Sequence, residues 1–291
     1  MKLSKKSGSV LLLPLAIVLL CTIAIPAGIF FVYSFYDFEL LEPQPAFHLA
    51  HYGEVFSNEI YRTLAWKTIQ IAVPTTVICV AAGFALAYFI NDCRGKTRSV
   101  LIGLVVASML ASYLARIYAW RTLLGERGTV SSLLSSIGLG HGLTDGLLFS
   151  RAGVIIGQVN FLLPFATLVI FAGLSGISPQ LRVAGRDLGA RRSTVLARIT
   201  VPLVGPALLA AITFTFFLSA GDYLTPVLLG GPDGTTIGAS IANQLQTTGN
   251  YPLGAALSFV LLAGFALIYA AVRFSMKASG WLPRGAKEVR I

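Results

Sequence analysis

The chain reads as an all-α, polytopic integral membrane protein with six transmembrane helices, and three observations predict it. Hydrophobic residues make up 55% of its 291 positions and charged residues only 12%, about half the charged share of an ordinary soluble domain. Apolar runs of about 20 residues, long enough to cross the hydrocarbon core as helices, recur at Val10–Tyr33, Leu64–Ile90, Ser99–Leu124, Ala152–Leu174, Leu203–Leu229 and Pro252–Phe274. The basic residues, finally, gather in alternate connections between those runs.

Residues 1–63 are expected to form an N-terminal transmembrane helix and an extracytoplasmic segment. Lys2, Lys5 and Lys6 precede the first run, but the h-region of a secretory signal is shorter, so the run is expected to stay as a span. The segment Ser34–Thr63 is acidic, with Asp37, Glu39, Glu42, Glu54 and Glu59. It also carries His48 and His51, which could share a metal on a helix; no third ligand accompanies them, so a solvated loop is expected.

Residues 64–275 make the expected five-helix core. Its first span holds Pro74, and its second is interrupted near the end by Arg116 and Arg121. A short helix, Thr129–Ile137, is expected before a stretch containing Gly138, Gly140, His141 and Gly142. The next span carries Gln158, Asn160 and Pro164; the one after it carries Pro206 and ends in Asp222 and Tyr223. A turn at Gly230-Gly231-Pro232-Asp233-Gly234 opens the last outer segment. Residues 276–291 form a basic tail.

The net charge of +10 invites a nucleic-acid reading, and its distribution argues against one. Sixteen of the 22 Lys and Arg lie at the two ends and in the connections around Arg94–Arg98 and Arg182–Arg198, while nine of the 12 acids lie in the intervening segments. By the positive-inside rule both termini face the cytoplasm. Cys21, Cys79 and Cys93 show neither disulfide nor metal spacing. Arg94-Gly95-Lys96-Thr97 lacks the glycine five residues before Gly95 that a phosphate-cradling loop needs, because Ile90 stands there. No catalytic constellation emerges, and ATP hydrolysis by this chain alone is excluded.

Ser178–Pro202 lies between two spans, too polar to cross a membrane and too well punctuated for a plain linker. Ser178 and Pro179 form an N-cap followed by a first-turn proline. Leu181, Ala184 and Leu188 recur at helical spacing, and Gly189 sits where a helix stops in a left-handed turn. A second short helix, about Ser193–Thr200, is expected to end at Pro202. Two short helices at an angle make a rigid knob, suited to docking a partner; an interfacial hairpin that only braces the bundle is the alternative.

That segment resembles the cytoplasmic "EAA" loop of permease subunits of ATP-binding-cassette (ABC) importers. The pattern is Glu-Ala-Ala, three residues, Gly, nine residues, Ile, one residue, Leu-Pro. Ala184, Gly189, Ile199 and Pro202 match it; Gly185 replaces the second Ala, Val201 the Leu, and Val183 the leading Glu. Arg116-Ile117-Tyr118-Ala119-Trp120 and Asp222–Gly231 are similar to stretches of the spermidine/putrescine permeases, a group that also includes opine, thiamine and iron(III) permeases. The resemblance covers about residues 64–274. It implies the type I importer (MetI-like) fold in a bacterial inner membrane, with ATPase coupling through Ala184, Gly185, Arg186, Asp187, Gly189, Ile199 and Pro202. It further implies a cytoplasmic ABC ATPase dimer, a second permease subunit, an extracytoplasmic solute-binding protein, membrane lipid and a small-molecule solute as partners. No cofactor, no metal and no nucleic acid are implied.

Polar groups inside a membrane are costly and mark pathways. Arg116, Gln158, Asn160, Asp222 and Tyr223 are the candidates here. A carboxylate at Asp222 beside the Tyr223 ring suits a cation; snorkelling or a mutual Arg116–Asp222 pair is the structural alternative. The amides of Gln158 and Asn160 suit a polar solute or a bridge between helices. A secondary transporter would need midplane carboxylates or inverted repeats, and neither is seen.

Overall fold

The structure, a computed structural model, describes residues 5–39, 42–125, 128–136 and 147–282. The expected tail residues 283–291 and Ile137, Gly138, Gly140, His141 and Gly142 lie outside these. The described chain is helical apart from one small hairpin. Helix α1 (Lys5–Tyr33) is followed by strands β1 (Asp37–Glu39) and β2 (Glu42–Gln44), then by α2 (Ala50–Ser57), α3 (Glu59–Asp92), α4 (Gly95–Leu110), α5 (Tyr113–Leu124) and α6 (Thr129–Ser136). Next come α7 (Arg151–Ser175), α8 (Pro179–Asp187), α9 (Arg192–Val195), α10 (Val201–Gly221), α11 (Ile237–Asn243) and α12 (Tyr251–Ala278).

Among the described residues, α3, α7, the run Arg192–Gly221 and α12 are long and apolar enough to cross a membrane, and α4 with α5, bent by 88°, make a fifth if the pair is one span. Helix α1 is 29 residues long, and its stretch Ile17–Tyr33 is apolar. The count is consistent with six spans.

The chain divides into two compact units. One contains residues 1–62 and 240–263. In it β1 pairs antiparallel with β2, Asp37 opposite Gln44. The expected solvated loop is only part of this segment: His48 lies in the loop between β2 and α2, while His51 is on α2. His48 Nε2 lies 2.7 Å from Asp37 Oδ2, and the Tyr52 and Ser34 hydroxyls lie 2.8 Å apart, tying α2 to the end of α1. A histidine–carboxylate hydrogen bond and a satisfied hydroxyl help order this polar stretch.

The other unit contains residues 63–239 and 264–291. Helix α7 starts cleanly because the Ser150 hydroxyl accepts the Gly153 N–H at 3.2 Å. It packs along α10, with small residues at the contact such as Gly173 against Ala207; such pairs let membrane helices approach closely. Ala87, Ile170, Leu174, Val204, Leu208, Ala211 and Met276 form one apolar cluster, and Ile71, Ile117, Val154 and Leu229 another.

Three expectations about helix continuity need correction. The span Ser99–Leu124 is not one helix: Ala111 and Ser112 are extended (ψ 136° and 131°), and the chain turns there. Arg116 explains how the break is tolerated, since its guanidinium donates to the Ala111 carbonyl at 3.3 Å that a continuous helix would have satisfied. The span Leu203–Leu229 is broken too, at Asp222, which is extended (ψ 128°). Pro202, in turn, does not end a helix. Leu196–Thr200 forms a wide π turn that runs straight into α10; the added width relieves the clash a proline ring makes with the preceding turn. The expected cap at Ser178 is also altered: its hydroxyl turns to the Gln180 side chain rather than to a backbone N–H.

Candidate functional site

The helix break at Asp222 builds the first site. Once the chain leaves the helix, Asp222 Oδ1 accepts the N–H groups of Leu224 and Thr225 at 3.0 and 3.3 Å, capping the turn that leads to Gly230. Oδ2 accepts from Gln158 Nε2 at 3.1 Å. A carboxylate offers about four lone-pair positions; three are taken by these donors, and the Tyr113 hydroxyl also lies beside Asp222.

Gln158 is only 1% exposed. Its Nε2 donates to the Ser219 carbonyl at 3.1 Å as well as to Asp222, and its Oε1 accepts the Ser219 hydroxyl at 2.5 Å and the Thr75 hydroxyl at 3.4 Å. One amide thereby spends its two donors and both acceptor positions joining α3, α7 and α10. Burying a polar side chain costs nothing extra when every group finds a partner.

Beside this network lies a cavity of about 330 Å³ between α5, α7, α10 and the break. Tyr113, Phe161, Phe217 and Tyr223 supply rings, and Asp222 and Gln158 supply polarity. The Tyr113 and Phe161 ring centroids are 4.6 Å apart, and the Tyr113 and Thr225 hydroxyls lie 2.7 Å apart. Aromatic faces plus one carboxylate can bind an ammonium group, because ring quadrupole and charge attract the same cation.

Of the residues expected from sequence, Gln158, Asp222 and Tyr223 meet here. Asn160 does not join them; it is exposed, nearly opposite Gln158 around α7. Arg116 does not pair with Asp222; its guanidinium sits 5.9 Å from the Phe161 ring centroid. Tyr113, Phe161 and Phe217 were not singled out as pathway residues. Tyr113 stands three residues before Arg116, so a helical projection of that stretch would have found it.

The knob is the second site. Helix α8 ends in a Schellman turn: Ala190 N–H donates to Gly185 O at 3.1 Å and Gly189 N–H to Arg186 O at 2.8 Å. Gly189 has the required φ of +80°. Gly185 is buried because α8 crosses the π turn there; a Cβ would lie 2.8 Å from Ile199 Cδ1. Ala184, Arg186, Asp187 and Gly189 stay exposed, and Ile199 and Pro202 are half-buried. Val183 is 54% exposed and Leu188 88%, an apolar surface on an otherwise basic knob. Arg182, beyond the spans, donates to Asp92 at 2.7 Å. Burial alone would lower the Arg182 pKa, but that hydrogen bond, the Asp92 charge and Tyr88 outweigh it and hold it above the usual value.

No protein-family profile matches the chain. It is 32% identical over 252 residues to the inner membrane ABC transporter permease protein YdcU of Escherichia coli K12, covering 83% of this chain and 80% of that one. Against the spermidine/putrescine transport system permease protein PotB of Haemophilus influenzae it is 29% identical over 220 residues, 76% of each chain. The fold is similar to that in a crystal structure of a bacterial alginate ABC transporter in complex with an alginate pentasaccharide-bound periplasmic protein, with a TM-score of 0.75 and 19% identity over 94% of both chains. At that identity the likeness speaks for the fold alone. The relationship to YdcU settles the family: this multi-pass membrane chain belongs to the ABC transporter permease proteins.

Proposed function

We propose that the cargo is a small organic cation of the polyamine class and that it passes the Asp222 cavity. The observation that carries this is the single carboxylate set among Tyr113, Phe161, Phe217 and Tyr223. The spermidine/putrescine permeases among the relatives support it. Asp222 holds one amine, the rings hold the methylene chain, and Arg116 beside Phe161 discourages a second cation on that side. Gln158 keeps the carboxylate in place.

In this reading, both termini and the knob at 178–202 lie in the bacterial cytoplasm, and the core at 64–275 pairs with a second permease subunit. Two ATPase subunits dock on the paired knobs, here at the exposed Ala184, Arg186, Asp187 and Gly189 with Gly185, Ile199 and Pro202 shaping the knob beneath them, and they alone hydrolyse ATP. A periplasmic binding protein delivers the solute, as the alginate transporter's complex with such a protein suggests. Closure of the ATPase dimer moves the knobs and opens the cavity outward.

Uptake of labelled putrescine and spermidine by the reconstituted transporter tests the cargo. Asp222→Asn keeps one capping oxygen and removes the charge, so uptake falls about tenfold or more. Unchanged uptake of either amine by that variant would take Asp222 out of the pathway.

A further inference from the structure

Helix α8 is joined through the chain to α7 at Gly176–Ser178 and to α9 at Leu188–Arg191. Neither connection reaches α3. A side-chain contact does. Arg182 Nη1 lies 2.7 Å from Oδ1 of Asp92, the last residue of α3. The same guanidinium sits 5.8 Å from the ring centroid of Tyr88, one turn earlier, and Tyr88 stacks with Phe84 at 6.2 Å. The Arg182 side chain is 16% exposed and the Asp92 side chain 48%.

The spacing on α8 sorts its surfaces. Arg182 and Gly185, three apart, point to the protein: one to α3, the other to Val195 and Ile199. Leu181, Val183 and Leu188 remain exposed. Among the described residues, no other ion pair joins the knob to a membrane span.

We infer that the Arg182–Asp92 pair is a clamp that positions the knob against α3, making Arg182 and Asp92 positioning residues for coupling. The inference rests on reading 178–202 as the ATPase-docking loop. A planar guanidinium suits the role: it meets a carboxylate at a fixed angle while lying over an aromatic face. Since Asp92 is half in solvent, the pair contributes little to global stability. Its effect is on orientation: without it, α8 can swing about the Gly189 turn, and motion of the knob reaches α10 but not α3.

The test uses Arg182→Ala, Asp92→Ala and the exchange of Arg182→Asp with Asp92→Arg, in the full chain. Trypsin cleavage after Arg191 or Arg192 in the solubilised permease reports how freely the knob opens. Each single substitution should speed cleavage about three- to tenfold, and the exchange should return it to within about twofold of the parent. Putrescine taken up per ATP hydrolysed in the reconstituted transporter should fall and recover in the same order. Cleavage at the parental rate in both single variants, or an exchange no slower than the singles, would overturn the clamp. A parental chain that retains no ATPase subunit would instead remove the docking reading, and the cleavage comparison would still decide the clamp.

Discussion

Gln158 Nε2 lies 3.1 Å from Asp222 Oδ2, and the other end of the same amide takes the Ser219 hydroxyl at 2.5 Å. A fully bonded amide has no capacity left for a passing solute. Gln158→Leu should therefore cost about 1–3 kcal/mol by stranding buried partners, seen as a lower unfolding temperature of the solubilised protein. Its effect on uptake should run through Asp222: in an Asp222→Asn background the added loss should be much smaller than in the parent. Independent, multiplying losses would mean that Gln158 touches cargo itself.

Gly185 discriminates by size. The atom nearest a Cβ there is the far end of the Ile199 side chain, which can rotate away. Gly185→Ala should be tolerated, with uptake within about twofold, whereas Gly185→Leu overpacks the contact at about 1–3 kcal/mol. Coupled transport should drop with the permease still extractable and monodisperse on a sizing column.

Gly189 is constrained by its backbone alone, since nothing lies within 4 Å of its Cβ position at φ +80°. Gly189→Val should cost about 1–2 kcal/mol in that left-handed conformation, and Gly189→Asn distinctly less. Uptake per ATP hydrolysed is the measurement; equal behaviour of the two variants would show that the turn's handedness is immaterial.

Tyr113 contributes a ring and a hydroxyl that can be separated. Tyr113→Phe keeps the contact with Phe161 and drops the 2.7 Å hydroxyl pair with Thr225. It should leave the apparent KM for putrescine within about threefold, while Tyr113→Ala, which removes the cation-attracting face, should raise it by about tenfold.

The spans were legible because about 20 apolar residues have few other homes than a bilayer. The left-handed stop at Gly189 was equally legible, for it is a local backbone demand met by one residue type. The breaks at Ala111 and Asp222 were not. Each exists because a distant group repairs the freed backbone: the Arg116 guanidinium in one case, and the Asp222 carboxylate anchored by Gln158 in the other. Hydropathy counts residues and carries no record of such repairs. Asp222 followed by Thr225 and Pro226 is a start signal in retrospect, hidden inside an apolar run. The cavity's rings come from three helices and the break after α10, and their convergence depends on packing that no single stretch encodes.

The passage of the helix through Pro202 has a mechanical outcome. Arg192–Gly221 is 30 residues long, a rod of about 45 Å at about 1.5 Å per residue. A tilt of about 5° at its base swings the far tip by about 4 Å, roughly the width of a methylene chain. That tip is Gly221, immediately before the carboxylate at Asp222. If an ATPase drives the knob as proposed, a small stroke at one end would be amplified at the other into a gap about as wide as a methylene chain.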